Sequence, residues 1–168
     1  MLAQLIVLIV LPALLATAAG WDLASYTIPN FLPLAVLGAF AVFAVLAGLS
    51  PAEFGWHLLA GLAGLAIGFA LFAFNQIGGG DAKLFAAVLT WLGFGDFLSY
   101  ILMASLLGGA LALAMIGLRQ LPLPAMLTGQ AWISRLHDRS AGIPYGVALA
   151  AGALVILPEA AILHLAGA

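Results

Sequence analysis

The 168-residue chain is 66% hydrophobic and 6% charged, with a mean hydropathy of +1.27 and a formal net charge of −2. A water-soluble domain of this length has no interior large enough for that much apolar surface, so the chain reads as a polytopic membrane protein, one transmembrane domain over 1–168. The apolar runs lack the alternation of barrel strands, which makes the fold class all-α with about six transmembrane helices, and the absence of cysteine excludes disulfides, thiolate zinc sites and a cysteine nucleophile.

The first run is a span at about 2–20. Small residues at Ala16, Ala18 and Ala19 follow its apolar core as they would in a secretory signal, but no lysine or arginine precedes that core, so a retained span is the expectation. Further spans are expected at about 31–49, 57–76, 82–95, 98–118 and 143–166, each judged against the roughly 20 residues a crossing needs. Turn chemistry marks the breaks: Ile28-Pro29-Asn30, Ser50-Pro51, Gly78-Gly79-Gly80 and Gly93-Phe94-Gly95-Asp96. The fourth segment is short, and re-entry or a thinned bilayer would accommodate it. Ala60, Gly64 and Gly68 repeat every four residues on the third span, and Gly108 and Ala112 do the same on the fifth, a spacing that permits close helix packing.

All four basic residues, Lys83, Arg119, Arg135 and Arg139, fall on one side of this arrangement, and the opposite connections hold Glu53 and Asp96. The positive-inside rule makes the basic side cytoplasmic and puts both termini outside. The connection 119–142 is the one sizeable polar segment. Pro122 and Pro124 stop the fifth helix, and 131–139 places Trp132, Ile133 and Leu136 at helical spacing against Arg135, His137, Asp138 and Arg139. A short interfacial helix with its Trp in the headgroup belt is expected there.

Two carboxylates share the basic side. Asp22 follows the first apolar run in Trp21-Asp22-Leu23, and Asp81 opens the fourth in Gly78-Gly79-Gly80-Asp81-Ala82-Lys83. Ionisable residues at such positions point to function, and a pair on a common face suggests an aspartic protease. Two like charges in one low-dielectric site resist double ionisation. One carboxylate then takes a proton from water while the protonated partner polarises the scissile carbonyl, and the sequence does not divide the roles. The three glycines are expected to free the backbone and let a peptide approach. As plain structural residues, Asp81 would be an N-cap of the fourth helix, Asp22 an exit residue, and Lys83 a snorkelling side chain, about 200° round from Asp81 on an ideal helix and so not its assumed ion-pair partner.

Other hydrolase chemistries lack their residues. His57, His137 and His164 stand apart with no H-E-x-x-H, Ser105 has no G-x-S-x-G context, and the glycine run does not lead into a Walker Lys-Ser/Thr. The reading therefore calls for no cofactor, no metal and no nucleic acid.

Asp22 followed by Ile28-Pro29-Asn30, then Gly78-Gly79-Gly80-Asp81-Ala82-Lys83, then Gly142-Ile143-Pro144-Tyr145-Gly146, resembles the bacterial type IV prepilin peptidase family over about residues 5–157. Gly-x-Gly-Asp alone is shared with presenilin-type proteases; the three motifs in order are far more specific. The resemblance implies catalytic aspartates at Asp22 and Asp81. It marks Pro29, Asn30, Gly78, Gly79, Gly80, Lys83, Pro144 and Gly146 as motif-supporting or substrate-contacting residues. It implies prepilin or pseudopilin substrates, cut at the cytoplasmic face of the inner membrane ahead of a hydrophobic helix. Long members carry a cysteine-bearing segment and also methylate the new N-terminus; this chain lacks that segment and looks like the short peptidases of tight-adherence (Flp-type) pilus systems. Members often have basic residues before Ile-Pro-Asn, where this chain has Ser25-Tyr26-Thr27. Two other readings compete: a small ion or proton carrier with mid-bilayer carboxylates, and a non-catalytic pilus or secretion assembly subunit.

Overall fold

A computed structural model of the chain describes residues 1–124, 126 and 129–167; positions 125, 127 and 128 of the long polar connection, and 168, lie outside the described residues. Within them the protein is helical, without strands. Helix α1 is Leu2–Ser25. It is followed by α2 (Phe31–Leu46), α3 (Pro51–Ala73), α4 (Gly79–Leu92), α5 (Phe97–Leu118), a short α6 (Ala131–His137), α7 (Tyr145–Ile156) and α8 (Ala161–Gly167). Three of these, α1, α3 and α5, are long and apolar enough to cross a membrane. With the shorter apolar helices they make a polytopic membrane protein.

The helix boundaries differ from the expected spans for local reasons. Gly20 does not end α1, which runs to Ser25 and closes on Tyr26 in the left-handed region (φ 57). A π-helical stretch, Ile6–Val10, lies just before Pro12, where the missing proline N–H and the crowded carbonyl four residues back disturb regular α pairing. Helix α3 starts six residues before the expected 57, because Ser50 and Glu53 form a capping box: the Glu53 backbone N–H donates to the Ser50 hydroxyl and the Ser50 backbone N–H to the Glu53 carboxylate. The expected last span, 143–166, is broken. Pro158 cannot donate a backbone hydrogen bond, so α7 gives way to a 3₁₀ turn, Leu157–Glu159, and α8 restarts with the Ala161 amide donating to Asp96 at 3.0 Å.

Helix α4 is the centre of the bundle. Every residue from Asp81 to Leu92 except Lys83 is buried, and at 14 residues it is about 21 Å long. It is a single unbroken helix. It runs from the Gly78 turn to Gly93, whose positive φ of 67° ends it beside the His57 ring. Helices α2, α3, α5, α7 and α8 pack on it, and the outward faces of the bundle are apolar, with Phe69, Leu106 and Leu113 exposed as a lipid-facing surface requires.

The small-residue stripe on α3 sits against α4. A Cβ on Gly64 would meet Leu89 and one on Gly68 the backbone of Ala82, while Gly61, outside the expected stripe, faces Ala86 and the Thr90 hydroxyl. Gly108 on α5 packs on Tyr145 of α7, and Gly152 of α7 on the Ala104 backbone; Ala112 is only partly buried. Polar pins cross the core as well: the Trp91 indole N–H donates to the Val36 carbonyl at 2.9 Å and the Tyr100 phenol to that of Leu149 at 3.3 Å. These contacts bring the end of α1 and the starts of α4 and α7 to one end of the bundle.

Candidate active site

Asp22 occupies the last turn of α1 and is 3% exposed. Its Oδ2 accepts the backbone N–H of Gly146 at 2.7 Å, and the Val147 amide also acts on it. Both are first-turn amides of α7, at the positive end of its dipole, and that of Gly146 has no partner within its own helix. Asp22 is thus not a plain exit residue: it holds the start of a helix 124 positions away in sequence. Gly146 is glycine for want of space. A Cβ there would lie 2.8 Å from Asp22 Oδ2 and 2.5 Å from Ile28 Cδ1.

Asp81 is the third residue of α4, not its N-cap, and is 7% exposed. Its Oδ2 accepts the Gly78 N–H at 3.0 Å, so a capping role accounts for one oxygen. The other does not fit that role. Oδ1 is buried with no hydrogen-bond partner, alone in this among the buried side-chain polar atoms of the described residues. The Asp22 carboxylate and the Gly146 amide are both within electrostatic reach of Asp81.

The remaining motif residues build the walls around this pair. Ile28 is buried between two glycines: a Cβ on Gly80 would lie 2.9 Å from the Ile28 carbonyl oxygen, as one on Gly146 would strike its Cδ1. The turn then continues through Pro29, whose carbonyl accepts the Leu32 N–H, into Asn30, the N-cap of α2. Lys83 Nζ donates to Asn30 Oδ1 at 2.7 Å, joining the glycine motif to the Ile-Pro-Asn turn instead of pairing with Asp81. Pro144 is buried at the N-cap of α7. The glycine run differs from expectation in one respect. Gly78 is extended and Gly79 and Gly80 are helical, so the run uses no left-handed conformation, and what its missing side chains provide at Gly80 is close approach.

Sequence reasoning treated the arginines of the 119–142 connection as topological charge and missed their placement. Arg119 donates to the carbonyls of Leu136 (2.9 Å), Ala141 (2.9 Å) and Gly142 (2.8 Å) and to the Tyr26 phenol (3.3 Å). Arg135 donates to the Ala24 carbonyl at 3.0 Å. The stretch before Ile-Pro-Asn, which carries no basic residue of its own, therefore receives two from this connection. Asp138 is exposed, and hydrogen bonds from the Ser140 hydroxyl and amide hold its carboxyl below the usual range. The histidines stand elsewhere: His57 Nδ1 is 2.9 Å from the Thr90 carbonyl towards the far end of α4, and His137 Nε2 is 2.6 Å from that of Leu121.

Comparison with protein families matches residues 9–113 to the type IV leader peptidase family. The chain belongs to that family. The match takes in Asp22, the Ile-Pro-Asn turn and the glycine motif with Asp81, and stops short of Gly146. No curated protein and no solved structure matches the chain. In this leader peptidase family member an apolar groove of about 160 Å³ opens between α3, α4, α5 and α7, with neither Asp22 nor Asp81 in its lining. Ile77, adjoining the Gly78 cap, and Tyr145, adjoining Gly146, lie on it, with Phe85, Ile101 and Ala104 further along.

Proposed function

We propose that the chain is a membrane aspartic endopeptidase, with Asp22 and Asp81 as its catalytic pair. It removes the leader of Flp-type prepilins or pseudopilins at the cytoplasmic face of the inner membrane. The observation that carries this reading is the buried, unpartnered Oδ1 of Asp81, set beside a second carboxylate whose own Oδ2 is fixed by the Gly146 amide. Structural capping has no use for that free oxygen, whereas hydrolysis needs one. In the reaction one carboxylate of the pair removes a proton from water as its oxygen attacks the scissile carbonyl carbon. The other, holding the shared proton, hydrogen-bonds the carbonyl oxygen as charge develops, and the proton taken from water ends on the departing amine. The two held oxygens, Asp22 Oδ2 and Asp81 Oδ2, fix the orientation of both carboxyls before substrate arrives.

The apolar groove running from Ile77 and Tyr145 along Phe85 suits a hydrophobic helix following the cut bond. The whole chain is one peptidase domain. It cuts without methylating, a reading supported by the lack of any cysteine. Placing the aspartates at the basic end of the bundle supports a cytoplasmic site with both termini outside. Co-expression with a candidate prepilin tests the proposal. Asp22→Asn and Asp81→Asn each keep side-chain size but remove the shared proton, so each alone abolishes leader loss at near-normal membrane abundance, and the double variant is no worse than either. Asp96→Asn, at the N-cap of α5, and Asp138→Asn, in the connection, retain most activity. Cleavage at the native rate by Asp81→Asn would overturn the two-carboxylate mechanism and move the ion-carrier or assembly-subunit reading ahead.

A further inference from the structure

Arg119 closes α5 and directs its guanidinium to three backbone carbonyls and a phenol, with no carboxylate among these partners. Two of the carbonyls, Ala141 and Gly142, immediately precede the turn into α7. From Gly142 only Ile143, Pro144 and Tyr145 intervene before the Gly146 amide that holds Asp22. That stretch is stiff: Pro144 fixes its own φ, the Tyr145 N–H donates to the Ile143 carbonyl at 2.9 Å, and the Val147 N–H donates to the Pro144 carbonyl at 3.2 Å.

The phenol belongs to the other side of the same contact. Tyr26 is four residues past Asp22 and its N–H donates to the Asp22 carbonyl at 2.7 Å. Its φ of 57° is a conformation that a bulky residue holds only when its surroundings impose it. One planar guanidinium therefore ties the Tyr26 side chain, on the segment that carries Asp22, to the backbone that leads into Gly146. A lysine, as a point donor on a flexible stem, cannot span the same set of acceptors.

We infer that Arg119 is a positioning residue for the catalytic pair, setting the Asp22 carboxylate through Tyr26 on one side and Gly146 on the other. The inference rests on Asp22 and Asp81 being that pair. The test is steady-state leader cleavage by the full chain in native-like membranes with a prepilin substrate, for Arg119→Gln, Arg119→Lys and Tyr26→Phe, with Asp81→Asn as reference. Displacing a catalytic group by about 1 Å costs on the order of 100-fold in rate. Arg119→Gln is accordingly expected to lower kcat by about 10- to 100-fold with KM within about twofold, Arg119→Lys to fall between it and the native chain, and Tyr26→Phe to lose about two- to fivefold. A cysteine placed at Gly142, in a chain that has none, should react with a water-soluble maleimide several-fold faster when Arg119 is Gln.

A native kcat for Arg119→Gln would overturn the inference, as would a loss carried by KM alone, which would make Arg119 a substrate contact. If Arg119→Gln does not accumulate, Arg119→Lys decides, and a native kcat there overturns the inference equally. The two readings fail separately. Activity in Asp81→Asn removes the catalytic pair, whereas an inactive Asp81→Asn beside a fully active Arg119→Gln removes only the role of Arg119.

Discussion

Substituting Gly146 by alanine perturbs the centre of the proposed site with a single methyl group. The new Cβ would lie 2.8 Å from Asp22 Oδ2, about 0.6 Å inside the 3.4 Å at which ordinary van der Waals contact begins. The Ile28 methyl, at 2.5 Å, can turn aside as the end of a flexible side chain. The carboxylate has less freedom, because the amide of the same residue holds it at 2.7 Å. A shift of more than half an ångström stretches a hydrogen bond to a charged group, a class worth roughly 1.5–3 kcal/mol, and displaces the carboxyl that this bond orients. A full ångström of misplacement costs about 100-fold, so the expected fall in kcat is about 30- to 100-fold. Stability should move less. Overpacking costs about 1–3 kcal/mol, while exchanging glycine for alanine within a helix returns up to about 1 kcal/mol. Gly64→Ala is the comparison: its Cβ would meet Leu89 Cδ1 at 2.6 Å and the Ala86 backbone at 3.3 Å on α4, away from both aspartates, so it should lower thermal stability without changing the rate per folded molecule. Single-turnover cleavage in detergent, beside thermal unfolding, separates the two effects. A native cleavage rate in Gly146→Ala would refute the argument that this amide and Asp22 act as a unit.

Two further outcomes are expected. A cysteine at Gln130, introduced into a chain that has none, should be labelled from the cytoplasm, and labelling from the periplasm would invert the proposed orientation. Mature pilin from this enzyme, made in a host without another prepilin peptidase, should carry a free amino terminus by mass spectrometry; a stoichiometric gain of one methyl group would defeat the assignment to the short, non-methylating form.

What was legible in the sequence follows from the range of the interactions concerned. Apolar runs identify helices because each helix satisfies its own backbone in lipid, and the expected 98–118 became Phe97–Leu118 almost unchanged. The boundaries that moved were set by side-chain hydrogen bonds or by proline. The Ser50 and Glu53 box extended α3, and Pro158 divided the last span where hydropathy alone runs on. Asp22 and Asp81 could be named because a carboxylate in an apolar chain is conspicuous by its cost. The contact that organises them was not legible, since Asp22 and the Gly146 amide lie 124 residues apart and a backbone donor carries no sequence signature.

Glycine is the exception, because the lack of a side chain records close approach wherever it occurs. Gly80 and Gly146 both press on Ile28, and Gly61, Gly64 and Gly68 admit α4 against α3. Yet glycine records only that something is near, never what. Gly61 falls outside the four-residue stripe of Ala60, Gly64 and Gly68, and the charge of Arg119 by itself speaks only to topology. Both were visible as residues. Their partners, a hydroxyl on the facing helix and carbonyls across a long connection, come from the fold. A buried or half-buried polar group in so apolar a chain should therefore be assumed to hold something in place until its acceptors are known, and for Arg119 those acceptors lead directly to the two segments that carry Asp22 and Gly146.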